Sequence, residues 1–125
     1  LMIFIKILFP IFLFFFYSSC QMMNKEYNFV YKNEGKTPLE NVKGSFNDFH
    51  SAGGVLYPGM IAHHKMVNKH GPIPDTVDIN WTRVSDRKNF HKKLKVRSEL
   101  PKGEPPEDII FLFDNDDVHL TWKKN

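Results

Sequence analysis

The hydrophobic pattern of the chain changes character once, near residue 20. From Leu1 to Phe16 every position is apolar except Lys6 and Pro10. From Tyr27 onward, apolar and polar positions alternate in short runs, the period of a half-buried β-strand. Tyr27, Phe29 and Tyr31 fall on one face, with Asn28, Val30 and Lys32 on the other. Val42, Gly44 and Phe46 alternate with Lys43, Ser45 and Asn47, and the turn-rich "NEGKTP" separates these two runs. "TVDINWT" is the cleanest strand pattern, with Val77, Ile79 and Trp81 against Asp78 and Asn80. It is followed across "SDRK" by "NFHKKLKVR", where Phe90, Leu94 and Val96 point inward, so the pair predicts a hairpin. "DIIFLF", the turn "DNDD" and "VHLTW" predict a second hairpin. Between Asn47 and Thr76 the glycines and prolines of "SAGGVLYPG" and "HGPIPD" read as loops, with "MIAHHKMV" as one further strand. No segment carries sustained helical spacing with caps. Six to seven strands over about 100 residues predict an all-β fold, an antiparallel β-sandwich of the immunoglobulin-like kind.

The first segment is a different object. A helix of residues 1 to 16 is roughly 24 Å long, short of the roughly 30 Å of a bilayer's hydrocarbon core. A single lysine, an apolar run and then Ser18 and Ser19 supply the parts of a secretory signal. The expected organisation is a signal peptide over 1–19, an attachment site and tether over 20–26, and a β-sandwich domain over 27–125. Cys20 is the only cysteine, so no internal disulfide forms and the domain rests on its core. The formal charge of +3 falls to +2 without Lys6, too small a balance to point to nucleic acid.

The chemistry-bearing clusters are weak. Six histidines invite a metal reading, but His63 and His64 in one strand point to opposite faces and cannot chelate together. "DNDD" lacks the glycine a calcium loop needs. There is no G-x-S-x-G elbow, no cysteine–histidine pair with a nucleophile setting and no H-E-x-x-H. The expectation is a protein that is not an enzyme and uses neither cofactor nor metal. Two surfaces remain as candidates for a protein partner. One is the apolar loop group Val55, Leu56, Tyr57 and Met60, and the other is the strand strip His91, Lys93, Lys95 and Arg97, with a solvated, edge-protecting face as the plain alternative for the strip.

Tyr17-Ser18-Ser19-Cys20 resembles the lipobox of bacterial lipoproteins, with Tyr17 standing where an aliphatic residue is usual. That resemblance implies lipid attachment at Cys20. Gln21 after it is not the aspartate that retains lipoproteins on the inner membrane, so the resemblance implies the outer membrane, facing the periplasm. Across residues 41 to 112, Gly53-Gly54-Val55, Pro58-Gly59, Gly71-Pro72-Ile73-Pro74 and the series Val77, Ile79, Trp81 resemble small, mostly uncharacterised bacterial lipoproteins. Some of these are encoded beside secreted toxin effectors and act as immunity proteins. The resemblance implies an exported, lipid-anchored lipoprotein of the cell envelope that binds another protein, in an immunity or accessory role. A structural envelope lipoprotein with no dedicated ligand, or a His-dependent metal-binding protein, are the alternatives.

Overall fold

The computed structural model of the chain describes residues 25–124, so the signal segment and Cys20 lie outside the described residues. Eight strands form: β1 (Asn28–Asn33), β2 (Leu39–Phe46), β3 (Phe49–Leu56), β4 (Ile61–His64), β5 (Thr76–Arg83), β6 (Lys88–Lys95), β7 (Asp108–Asp114) and β8 (Asp117–Lys123). They make two four-stranded sheets packed face to face, in the orders β4-β1-β7-β8 and β3-β2-β5-β6. The all-β sandwich expected from the alternation is what the chain builds. Its strand order differs from that of antibody domains, which place their first, second, fifth and fourth strands in one sheet.

All neighbouring strands are antiparallel except β1 and β7, which run parallel from Asn28 beside Asp108 to Asn33 beside Phe113. β1 is therefore a central strand, with β4 on its other side, and even its outward-facing Val30 is 95% covered. The inward faces read from the sequence hold. Tyr27, Phe29, Tyr31, Val42, Phe46, Val77, Ile79 and Trp81 are all buried. Ile109, Phe111 and Phe113 of β7 and Val118 of β8 complete the core. An aromatic file runs through it: Phe29 meets Phe111 edge-on with ring centres 5.1 Å apart, Tyr31 stacks on Phe111 at 5.5 Å, and Trp81 lies between Phe113 and Phe90 at 5.4 Å from each. Such pairs add to the burial of their own area by about 0.5–1.5 kcal/mol each.

The eighth strand comes from the glycine-rich segment read as a loop. β3 pairs with β2 from Phe46 beside Phe49 to Leu39 beside Leu56, with two register shifts on the way. Asn41 on β2 and Gly54 on β3 sit at these bulges with positive φ, 52° and 67°. A bulge adds a residue on one strand and so changes which side chains point inward beyond it. Phe49 and Ser51 face the core, yet beyond Gly54 it is Leu56, not Val55, that does so. "MIAHHKMV" is a strand only over Ile61–His64. Met66 then takes the left-handed region (φ 59°) and a 3₁₀ turn spans Val67–His70, pinned by the Val67 N–H donating to the Tyr27 carbonyl at 2.9 Å.

Tyr31 ties the two sheets together. Its ring crosses the core, and its hydroxyl shares a hydrogen bond with the Ser51 hydroxyl on β3. The ring end lies directly on Gly44 of β2, where an added Cβ would overlap the hydroxyl oxygen. Burial pushes the Tyr31 hydroxyl up to about 12, against a smaller opposing effect of Ser51.

Candidate functional site

Topology gives the sandwich two different ends. At one lie Lys25, where the described chain enters, the turn between β2 and β3, and the loops that lead into β5 and β7. At the other lie the turns β1–β2, β3–β4, β5–β6 and β7–β8. β1 runs from the first end to the second, and its six residues at about 3.3 Å each separate the ends by about 20 Å.

The far end is organised by one buried asparagine. Asn33 closes β1 with no exposed surface, and its side-chain amide donates to the carbonyls of Thr37 and Leu56, both at 2.9 Å. Its side-chain oxygen accepts the Gly35 N–H at 2.9 Å. Its own N–H donates to the Met60 carbonyl at 3.1 Å, and its carbonyl accepts the Gly59 N–H at 2.8 Å. Every polar group of Asn33 is thus spent on holding the turn after β1 and the turn after β3. A second turn asparagine, Asn115 (φ 54°), accepts the Trp81 indole N–H on its carbonyl and the Thr37 hydroxyl on its side-chain oxygen, each at 3.0 Å. Sequence reading assigned no role to either. Their signal is local: an asparagine that ends a strand and is followed by Glu-Gly, or that sits between aspartates, marks a turn with a side chain able to bond the backbone.

On this clamp stands an exposed apolar group. Val55, Tyr57 and Met60 are 47%, 57% and 44% exposed, and Ile61, first residue of β4, is 48% exposed. Three of the four apolar candidates are therefore at the surface, at the end of β3 and in the turn that leads to β4. Leu56 is not: it is buried opposite Leu39, because the bulge at Gly54 turns it inward, and it supports the group from beneath. Ile61 joins the group and was missed as a surface residue.

The basic strip is divided. His91, Lys93 and Lys95 point outward from β6 as expected, exposed on the outer face of their sheet. Asp78 on β5 is the register partner of Lys93, and its carboxylate lies 3.2 Å from the His91 ring nitrogen, so the strip carries its own counter-charge. Arg97 is not part of it. β6 ends at Lys95, Val96 turns inward, and Arg97 falls in a 3₁₀ turn where its guanidinium donates to the Ile73 carbonyl, Nε at 3.0 Å, and faces Asp75 at 3.4 Å.

Arg97 instead walls a cleft of about 500 Å³ at the Lys25 end, with Tyr27, Ile73, Leu100, Pro101 and Pro105 among its lining. Its polar groups are already engaged. The Tyr27 hydroxyl donates to the Gly71 carbonyl at 2.8 Å, and Lys25 pairs with Glu104. Burial pushes the Tyr27 hydroxyl up to about 12, with Arg97 pulling it back slightly. The three polar side chains that line the cleft are thus held by the protein's own groups rather than turned to a ligand. The histidines do not converge: His64 and His70 both pack on Phe49, while His50 and His63 are exposed. Among the described residues no group of three His, Cys, Asp or Glu could hold a metal ion, and no helix is long and apolar enough to cross a membrane.

The described residues define a small two-sheet β-sandwich whose notable surface is a braced apolar loop. No protein-family model and no curated protein matches the sequence. The chain is similar in fold to a protein from Eubacterium rectale solved by NMR, with a TM-score of 0.53 at 15% identity, over 80% of this chain and 90% of that one. That likeness bears on the fold alone.

Proposed function

We propose that the protein is an exported, lipid-anchored lipoprotein of the cell envelope that binds another protein through the Val55, Tyr57, Met60 and Ile61 surface. The observation that carries this reading is the placement of that surface at the end opposite Lys25, the end nearest Cys20 in the chain. A domain tethered at one end presents its opposite end to whatever shares its compartment. Large apolar side chains left in water and rigidly braced are the usual mark of a docking site. In this reading Cys20 carries the lipid, the outer membrane is the site of anchoring, and the partner is of the kind met by immunity or accessory lipoproteins. His91, Lys93 and Lys95 then form a solvated face that guards the β6 edge.

Two arms of one experiment in living cells test it. The full chain and its Cys20→Ser variant are compared for membrane partitioning and intact mass. A photo-crosslinking residue is placed at Val55 in one set and at Lys102, near the tethered end, in the other. Lipidated mass for the parent only, and a discrete protein adduct from position 55 but not 102, are the expected results. A Cys20→Ser variant that still partitions fully with membrane, beside an unlipidated parent, rejects the anchor. Equal adducts from both positions, or none from 55, reject the loop as the docking surface.

A further inference from the structure

A sandwich of two open sheets has two open flanks, and in this protein they are finished differently. On the first flank β6 lies beside β8. β6 carries Lys88, Lys92, Lys93 and Lys95, and the Lys92 ammonium crosses the seam to Asp117 at 2.7 Å and to the Val118 carbonyl at 3.1 Å. Asp117 is held below the ordinary carboxylate range, first by its hydrogen bond from Lys92. Charges on and between edge strands are the standard protection against pairing with another chain.

The second flank, formed by β3 and β4, has no such protection. From Phe49 to His64 there is not one Asp, Glu, Lys or Arg. The β4 edge is also free in a definite way. The Asn33 N–H bonds to the Met60 carbonyl, so the narrow pairs of the ladder continue at Tyr31 with Ala62 and Phe29 with His64. By the alternation of an antiparallel ladder, the N–H and C=O groups of Ile61 and His63 then point away from β1. Ile61 and His63 are exposed on the outer sheet face, where Ile61 lies beside Lys32 and His63 beside the buried Val30, with Ile110 and Leu112 half-buried further in. Charge returns just past the strand, where Lys65 and Lys69 are exposed with no ion pair among the described residues.

We propose that β4 receives an added strand: an extended segment of a partner protein, antiparallel to β4, acidic at its N-terminal end and apolar at its C-terminal end. The acidic end meets Lys65 and Lys69, and the apolar end packs on Ile61, Met60 and Tyr57. Main-chain bonds to Ile61 and His63 supply affinity, and alternate side chains supply specificity, the general economy of strand addition. A second copy is a poorer occupant. Two β4 strands pair over only four residues, and Lys65 and Lys69 of each copy would face the uncharged Tyr57–Met60 turn of the other. This inference rests on the loop reading above and specifies how the same surface is engaged.

The probe is a phage-displayed library of random octapeptides selected on the full chain in detergent micelles. The expected winners alternate β-branched or aromatic residues with polar ones and carry Asp or Glu toward their N termini. They protect the Ile61 and His63 amides from hydrogen exchange, and they bind Ile61→Lys about tenfold or more weakly, because an edge lysine repels a strand. Winners that bind Ile61→Lys unchanged but lose affinity for Tyr57→Ser overturn strand addition and leave the apolar loop standing as a docking surface. Winners indifferent to both variants, or no winners at all, overturn it as well. Dimerisation of the chain that Ile61→Lys abolishes would assign the edge to a second copy instead.

Discussion

Gly44 is small because Tyr31 needs its space. The tyrosine ring spans the two sheets to reach Ser51, and the β2 backbone passes directly beneath the hydroxyl. A methyl group at position 44 forces either the ring or the strand to move, and overpacking of this kind costs about 1–3 kcal/mol. Gly44→Ala is therefore expected to lower the unfolding free energy by that amount, read as a lower urea midpoint with an unchanged m-value. In a Tyr31→Phe background, where the oxygen is gone, the same substitution should cost clearly less. Equal losses in the two backgrounds would show that the contact is not the cause. Asn33 is the polar counterpart: buried without exposure, it spends its amide on two carbonyls and its oxygen on a backbone N–H, a set of bonds that calls for a side-chain amide at this position.

Strands with strong alternation were legible in the sequence because a single side-chain period governs them from end to end. β1, β5 and β6 belong to this group, and their inward residues are those that the alternation picks out; β7 was legible as a continuous apolar run, and β8 holds its alternation at Val118 and Leu120 but leaves Trp122 exposed. β3 was not legible, for a physical reason. Gly53 lies against Val42 and Tyr31, and Gly54 holds the bulge, so the strand has small residues where the pattern needs large ones. The candidate surface inherits that difficulty. Residue types alone marked Val55 to Met60 as apolar, but which of Val55 and Leu56 faces water depends on a bulge that only the register reveals. Arg97 was misplaced in the strip because the strand ends two residues earlier, at Lys95.

Edges show why the same element type can be closed or open. Lys92 stands in the inward register of β6, yet its ammonium leaves the core side to occupy the β8 seam. Exposed ion pairs contribute only about 0–1 kcal/mol, so stability is not its main effect. Lys92→Ala should leave the thermal midpoint nearly unchanged while increasing concentration-dependent self-association in sedimentation velocity. A variant that stays as dispersed as the parent would mean that the seam is protected by the remaining β6 lysines.

At the scale of the whole molecule, two buried phenols set a ceiling on alkaline stability. Tyr27 and Tyr31 both keep their protons up to about 12 in the fold, whereas an unfolded chain releases them near 10. Between these values the unfolded state binds fewer protons than the native state. Stability is therefore intact below about pH 10 and falls as pH rises toward about 12, by at most about 1.4 kcal/mol per pH unit for each tyrosine. Urea midpoints followed across that window, with phenolate absorbance as a second signal, should show the decline, and Tyr31→Phe should make it shallower. A flat profile in both proteins would count against buried, protonated tyrosines as its origin.

The parallel pairing of β1 with β7 has a consequence in time. The strand that enters first, beginning at Asn28, sits between β4 and a strand that begins at Asp108, so its sheet closes only after nearly the whole chain is available. Pairing across such a separation is slow to form, because loop closure must precede any reward from contact. An unfinished product that stops in the β6–β7 loop can assemble β2, β3, β5 and β6, but leaves Phe29 and Tyr31 uncovered on one side. The aromatic face of β1 is closed on that side only when β7 and β8 have been added.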